Sequence, residues 1–125
     1  MRTMAIVCLI GVGVVCAPRP TMCVTMSIVT VTAYSYPDAL CPGTSGGRTA
    51  SGTHVRDGIL AVSRDLEQGL NLDFGDKVLL HGLGVFEFQD RTSTRLRKTA
   101  DIYMSCRQKA GRFGVRRYVV LVKMT

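Results

Sequence analysis

The chain reads as a small all-β protein, a closed barrel of six strands with one short helix. Three observations point there. Six runs of alternating or continuous aliphatic and β-branched residues are separated by turns rich in glycine, proline and polar residues. The remaining periodic segment is short and bounded by a serine and a glycine, as a single small helix would be. Finally, 125 residues with 46% hydrophobic content and no tryptophan suit one core of Val, Ile, Leu and a few aromatics. Closing the sheet also removes exposed strand edges.

Residues 1–17 differ in kind from the rest. Met1-Arg2-Thr3 is a short basic start, residues 4–17 are uncharged and mostly apolar, and the first carboxylate is Asp38. At ~1.5 Å per residue this run reaches ~21 Å, short of the ~30 Å hydrocarbon core, so a secretory signal peptide is expected rather than a membrane anchor. Ala17 suits a cleavage site and Pro18 does not, which leaves the cut open. A lipid anchor on Cys16 or Cys23 is the competing idea, although Val15 and Met22 stand where a small residue is wanted. Residues 18–27 then form a linker and 28–125 the barrel domain. The expected location is outside the cytoplasm, in the periplasm or cell envelope, with no stable membrane anchor beyond the leader.

Residues 28–35 alternate Thr with apolar side chains and predict the first strand. Residues 37–52, with Pro42, Gly43, Gly46 and Gly47, predict a long loop leading to a short extended piece at 53–56. Residues 59–63 predict a strand, followed at 64–69 by at most one helical turn. Residues 77–81 and 85–90 predict a hairpin across Gly82-Leu83-Gly84, and 100–104 a further strand. Ser105 is placed to N-cap a helix over 106–113 that Gly114 ends. Residues 117–124 close the sheet.

Asp65 follows the apolar run Ile59-Leu60-Ala61-Val62, Asp90 closes Val85-Phe86-Glu87-Phe88-Gln89, and Asp101 interrupts an otherwise apolar strand. Acids are depleted in strands and seldom buried unpaired, so the three are expected together at one mouth of the closed sheet. The competing reading makes each an ordinary turn aspartate capping local amides.

The blocks around these residues resemble the three-aspartate (3D) domain family. Thr32-Ala33-Tyr34, Arg48-Thr49-Ala50-Ser51-Gly52-Thr53 and the segment from Gly58 to Leu66 match its opening blocks in order. Phe74-Gly75-Asp76-Lys77-Val78, Gly82-Leu83-Gly84, the Asp90 and Asp101-Ile102-Tyr103-Met104 pair and Phe113-Gly114 continue the match to about Lys123. The resemblance implies a double-psi β-barrel acting on bacterial cell-wall glycan, like the catalytic barrel of membrane-bound lytic transglycosylases and small muralytic proteins. It implies Asp101 as catalytic acid/base, Asp90 as its electrostatic partner and Asp65 as a site-wall residue. Thr32, Tyr34, Arg48 and Ser51 become substrate-binding residues, with core packing the alternative role for Tyr34. The sequence departs from the family in two places: Thr44 stands where many relatives carry a second cysteine, and residues 91–99 lack a Thr-Gly-Gly.

Glycosidic cleavage needs an acid still protonated near neutral pH. A charged Asp90 and partial burial by Tyr103 or Phe88 would raise the Asp101 pKa, while the basic 91–98 loop would lower it if it folded over the site. The expected function is therefore an exported peptidoglycan-cleaving lytic transglycosylase with one Asp acid/base. The alternative is a non-catalytic cell-wall-binding barrel, since fold does not fix function.

Net charge is +7, concentrated in Arg91, Arg95, Arg97 and Lys98 and in Arg107, Lys109, Arg112, Arg116 and Arg117. Basic residues not interleaved with aromatics lack the stacking partners of a single-strand nucleic-acid site, so no nucleic acid is expected. Peptidoglycan glycan strands with their carboxylates fit better. Without the leader, Cys23, Cys41 and Cys106 remain, an odd number that allows one internal bridge. Cys41 and Cys106 are the expected pair because both are expected near the barrel mouth. His54 and His81 are isolated, and no close cysteine pair offers metal-ligand spacing, so neither a metal nor any other cofactor is expected.

Overall fold

The computed structural model describes residues 25–36 and 47–124. The leader, most of the linker and Cys41 lie outside the described residues, and with them the expectations on cleavage and on the Cys41 to Cys106 pairing. Cys106 itself is disulfide-bonded. No described helix is long and apolar enough to cross a membrane.

Six strands, β1 (Met26–Tyr34), β2 (Ile59–Val62), β3 (Lys77–Leu80), β4 (Gly84–Arg91), β5 (Thr99–Tyr103) and β6 (Arg116–Met124), close into a barrel in the order β1-β5-β2-β4-β3-β6. The pairs β1–β5 and β2–β4 are parallel and the other four antiparallel, so the expected six-stranded closed barrel is present. Of the five connections only that from β3 to β4 joins neighbouring strands; the other four each step over one strand of the barrel, which is how the parallel pairs arise.

Side-chain alternation fills the interior. Val29 and Val31 of β1, Leu60 and Val62 of β2, Phe88 of β4, and Ala100 and Ile102 of β5 form one cluster with Val78, Leu80 and Leu121. β2 is buried on both faces because it lies between β5 and β4 under further cover. Its outward-facing Ile59 joins a second, smaller cluster with Val55 and Tyr103, flanked by Tyr34 and Tyr36.

The segment expected as no more than one turn forms the six-residue helix α1 (Arg64–Gly69). Its Leu66, with the following Leu70 and Leu72, enters the main cluster, and Asp65 and Glu67 sit in its first turn where the helix dipole favours acids. The second helix, α2 (Arg107–Phe113), has Gly114 at its end with φ 73°, a left-handed conformation glycine adopts freely. Ser105 does not cap it as expected: Cys106 is the N-cap residue and makes no side-chain cap. Asp57 has taken the serine instead, accepting from Ser105 N at 2.9 Å and Oγ at 3.0 Å. The expected extended piece at 53–56 shrinks to one bridge between Arg48 and His54. The hairpin between β3 and β4 turns through Gly82 (φ 81°) and Gly84 (φ 127°), as expected.

Candidate functional site

Because Ala100 and Ile102 point into the barrel, Asp101 between them points out. The same alternation turns Thr32 outward between Val31 and Ala33, and a register shift in the β2–β4 pairing sets Asp90 opposite Ala61. Thr32, Asp101, Ala61 and Asp90 thus form one row across β1, β5, β2 and β4. The site lies on the outer wall of the barrel and not at its mouth as expected, since an interior packed with aliphatic side chains has no place for a carboxylate. Asp101 and Asp90 stand on the two strands flanking β2, so their backbones are two strand spacings, ~9–10 Å, apart. Ala61 between them is the small floor of the row and is 3% exposed.

The two carboxyls are held differently. Asp101 Oδ1 accepts from the Thr32 hydroxyl at 2.9 Å, and among the described residues Oδ2 accepts nothing. Burial pushes its carboxyl above the usual aspartate range; the Thr32 bond opposes this and the nearby Asp90 adds to it. Asp90 accepts at Oδ1 from Ala50 N and Arg91 N, both at 2.9 Å, and at Oδ2 from the Tyr34 hydroxyl at 2.9 Å. Tyr34 therefore reaches across the row from β1, its ring edge-on to Tyr103 with centroids 5.4 Å apart. Burial and the Asp90 charge raise its phenol far above the ordinary value, so it remains a donor. Core packing and a polar role coincide in this residue.

Residues 48–54 dock on the end of this row. Ala50 N binds Asp90, Ser51 N donates to Gln89 O at 3.1 Å, and the Tyr36 hydroxyl donates to Arg48 O at 2.9 Å. Arg48 turns inward to its own turn, with Nη1 on Gly52 O at 2.8 Å. Ser51 shares a ring of hydroxyls with Thr49 and Thr53, at 2.9, 2.8 and 3.1 Å between oxygens. Thr32, Tyr34, Asp90 and Asp101 are thus brought together, with Ser51 beside them, whereas the Arg48 guanidinium is spent on holding the turn. The Ala50 amide is a component the sequence reading missed. A backbone donor carries no residue signature, although the small residue at that position let the turn approach β4.

Asp65 is elsewhere. Both its oxygens accept from Lys98 N, at 3.2 and 3.0 Å, and it shares no hydrogen bond with Asp90 or Asp101. Burial pushes its carboxyl up, but bonds from the Ser63 hydroxyl, the Lys98 amide and its own amide, with Arg97 nearby, outweigh this and hold it below the usual range. The basic 91–98 loop is drawn away from the carboxyl pair in the same manner. Arg91 forks onto Glu67 at 2.7 and 2.8 Å and lies over the Phe74 ring at 4.7 Å. Nearer the start of β4, Glu87 is depressed to about 2, first by Gln89 and then by Arg56, whose guanidinium lies 2.7 Å away. Among the described residues no group of three or more His, Cys, Asp or Glu side chains could hold a metal ion.

No protein-family model and no curated protein sequence matches the chain. Among solved structures it is similar to the Streptomyces papain inhibitor, with a TM-score of 0.54 and 16% sequence identity over 85% of this chain and 100% of that one. At that identity the likeness extends to the fold, a six-stranded mixed barrel of double-psi-like form.

Proposed function

We propose that the protein cleaves the glycan strand of bacterial peptidoglycan, as a lytic transglycosylase of 3D-domain type, with Asp101 as its single acid/base. The observation that carries this reading is the Asp101 carboxyl: half-buried, pushed toward its protonated form, and with Oδ2 unoccupied by any described residue. Such a group gives its proton to the glycosidic oxygen as the C1–O bond breaks. The anion left behind then takes the proton of the sugar's own 6-hydroxyl as that oxygen closes on C1, so an anhydro sugar forms, no water is consumed and Asp101 is regenerated. Asp90, kept in place by Tyr34 and two backbone amides, holds a negative charge near the positive charge that develops on the sugar. Thr32 fixes which oxygen of Asp101 faces outward. The excess of basic residues suits a carboxylate-bearing polymer, and the apolar leader fits export to where that polymer lies.

A second reading has its own support. The similar barrel is named as a papain inhibitor, so a barrel of this fold is not bound to glycan cleavage. Incubation with purified peptidoglycan separates the two: anhydro-muropeptides in the mass spectrum, absent with Asp101→Asn, support cleavage. Sedimentation with the polymer and no product under any condition supports a wall-binding barrel, and inhibition of papain without either supports the inhibitor reading.

A further inference from the structure

At the end of the barrel away from the tyrosine-covered row, a cavity of about 260 Å³ opens between the start of β1, helix α1 and the end of the 91–98 loop. Met26, Leu66 and Leu70 give it an apolar lining, and Ser27, Lys98 and the Asp65 carboxylate give it a polar side. Lys98 is posed there by its backbone: it is a non-glycine residue at φ 50°, and the Asp65 carboxylate holds its amide with both oxygens. Strained backbone persists where the surroundings over-determine it, and here the determinant is Asp65. The Lys98 ammonium meets Ser27 Oγ at 3.1 Å, one of three donors it can use. The Asp65 oxygens are turned to the Lys98 amide and the Ser63 hydroxyl, and its one negative charge stands against two positive ones, Lys98 on the lining and Arg97 beside Asp65.

We infer that this cavity binds a carboxylate borne on a short aliphatic group, its anion on Lys98 and Ser27 and its tail against Met26, Leu66 and Leu70. The space, about 260 Å³ and open to solvent on one side, takes a branched tail of a few carbons against its apolar lining. Two sources present this chemistry, a free short-chain acid and the C-terminus of an aliphatic peptide. The assignment stands independently of glycan cleavage, because no residue of the carboxyl row takes part.

Gly69 supplies the control. It lines the cavity within α1, and a Cβ built on it meets nothing within 4 Å, so the position accepts a side chain and Gly69→Val adds bulk to the lining. The test is a titration of ¹⁵N-labelled protein with isovalerate, with N-acetyl-alanyl-alanine, with the amide of that dipeptide and with inorganic phosphate, read by amide shifts. Saturable shifts at Ser27, Leu66, Gly69, Leu70 and Lys98 are expected for one or both carboxylates, with a Kd on the order of 1 mM, a scale set by the few atoms buried. Lys98→Met, which keeps the backbone amide on Asp65, and Gly69→Val should each weaken binding at least ~5-fold, with unfolding temperatures near wild type. A response to isovalerate alone assigns a free acid, and one to the dipeptide alone assigns a peptide terminus. Equal response to phosphate or to the amide, shifts centred on Asp101, or no saturation with any carboxylate would overturn the assignment.

Discussion

Asp101 and Asp65 are the same residue type, one within β5 and one just past the end of its antiparallel partner β2, and their surroundings drive their carboxyls in opposite directions. Asp101 lies in a half-buried row with a hydroxyl as its one partner and Asp90 as a neighbouring charge, so its proton is held more tightly than usual. Asp65 caps a backbone amide in the open, so its proton is held less tightly. An aspartate facing a wall of sheet can become an acid, whereas one facing free amides becomes a structural anion.

The comparison is broken most sharply by Asp101→Asn, which keeps shape and removes the transferable proton. Cleavage should fall at least ~10²-fold while the fold persists. Undiminished cleavage in the muropeptide assay would end the acid/base role. The same variant tests the pH argument. Between the ordinary value of 3.8 and the raised one, the folded state keeps a proton that the unfolded state has lost, so stability contributed by Asp101 declines as pH rises. Relative to wild type, the variant should gain melting temperature as pH climbs from 4 toward 7, a change that calorimetry at several pH values resolves.

Tyr34→Phe ranks next. It removes one of three donors to Asp90, a bond to a charged group worth ~1.5–3 kcal/mol, and should lower kcat about 10-fold with little change in KM. Asp65→Asn should leave cleavage within ~3-fold. Its folded carboxyl is depressed, so wild type should exceed the variant in melting temperature above pH 3.8 and lose the advantage as pH falls below it. Equal loss of cleavage in the Asp65 and Asp101 variants would restore a three-carboxylate site. The smallest effect is expected for Arg91→Lys, which loses the fork onto Glu67 but keeps charge. With the two side chains 33% and 18% exposed, ~0.5–1 kcal/mol in chemical denaturation is expected.

The barrel was legible because apolar alternation marks which face of each strand is covered, and all six strands lie within two residues of where that pattern sets them. Asp90 and Asp101 were legible as acids in strand-like runs, and Thr32 and Tyr34 through the resemblance to the three-aspartate family, but their place on the outer wall was not. Their meeting was not, because it depends on which strands pair in parallel and on the register shift beside Ala61. The misplacement of Asp65 has the same origin: a position after a strand end says nothing about whether the nearest partner is another carboxyl or the Lys98 amide. Ser105 shows the limit of cap signals, since Asp57, 48 residues away, outcompeted the helix for its hydroxyl and amide.

The strand order has a kinetic consequence. The Thr32 to Asp101 bond joins residues 69 positions apart, and the Tyr34 to Asp90 bond residues 56 apart, so neither exists until the first strand lies beside the fifth. Such closures are entropically slow, which makes the row one of the last parts of the molecule to form. A chain still emerging from a ribosome, or threaded unfolded through a membrane, carries both carboxylates far apart and fully hydrated. The chemistry proposed for Asp101 is then silent in the unfolded chain, and it is switched on by the completion of folding.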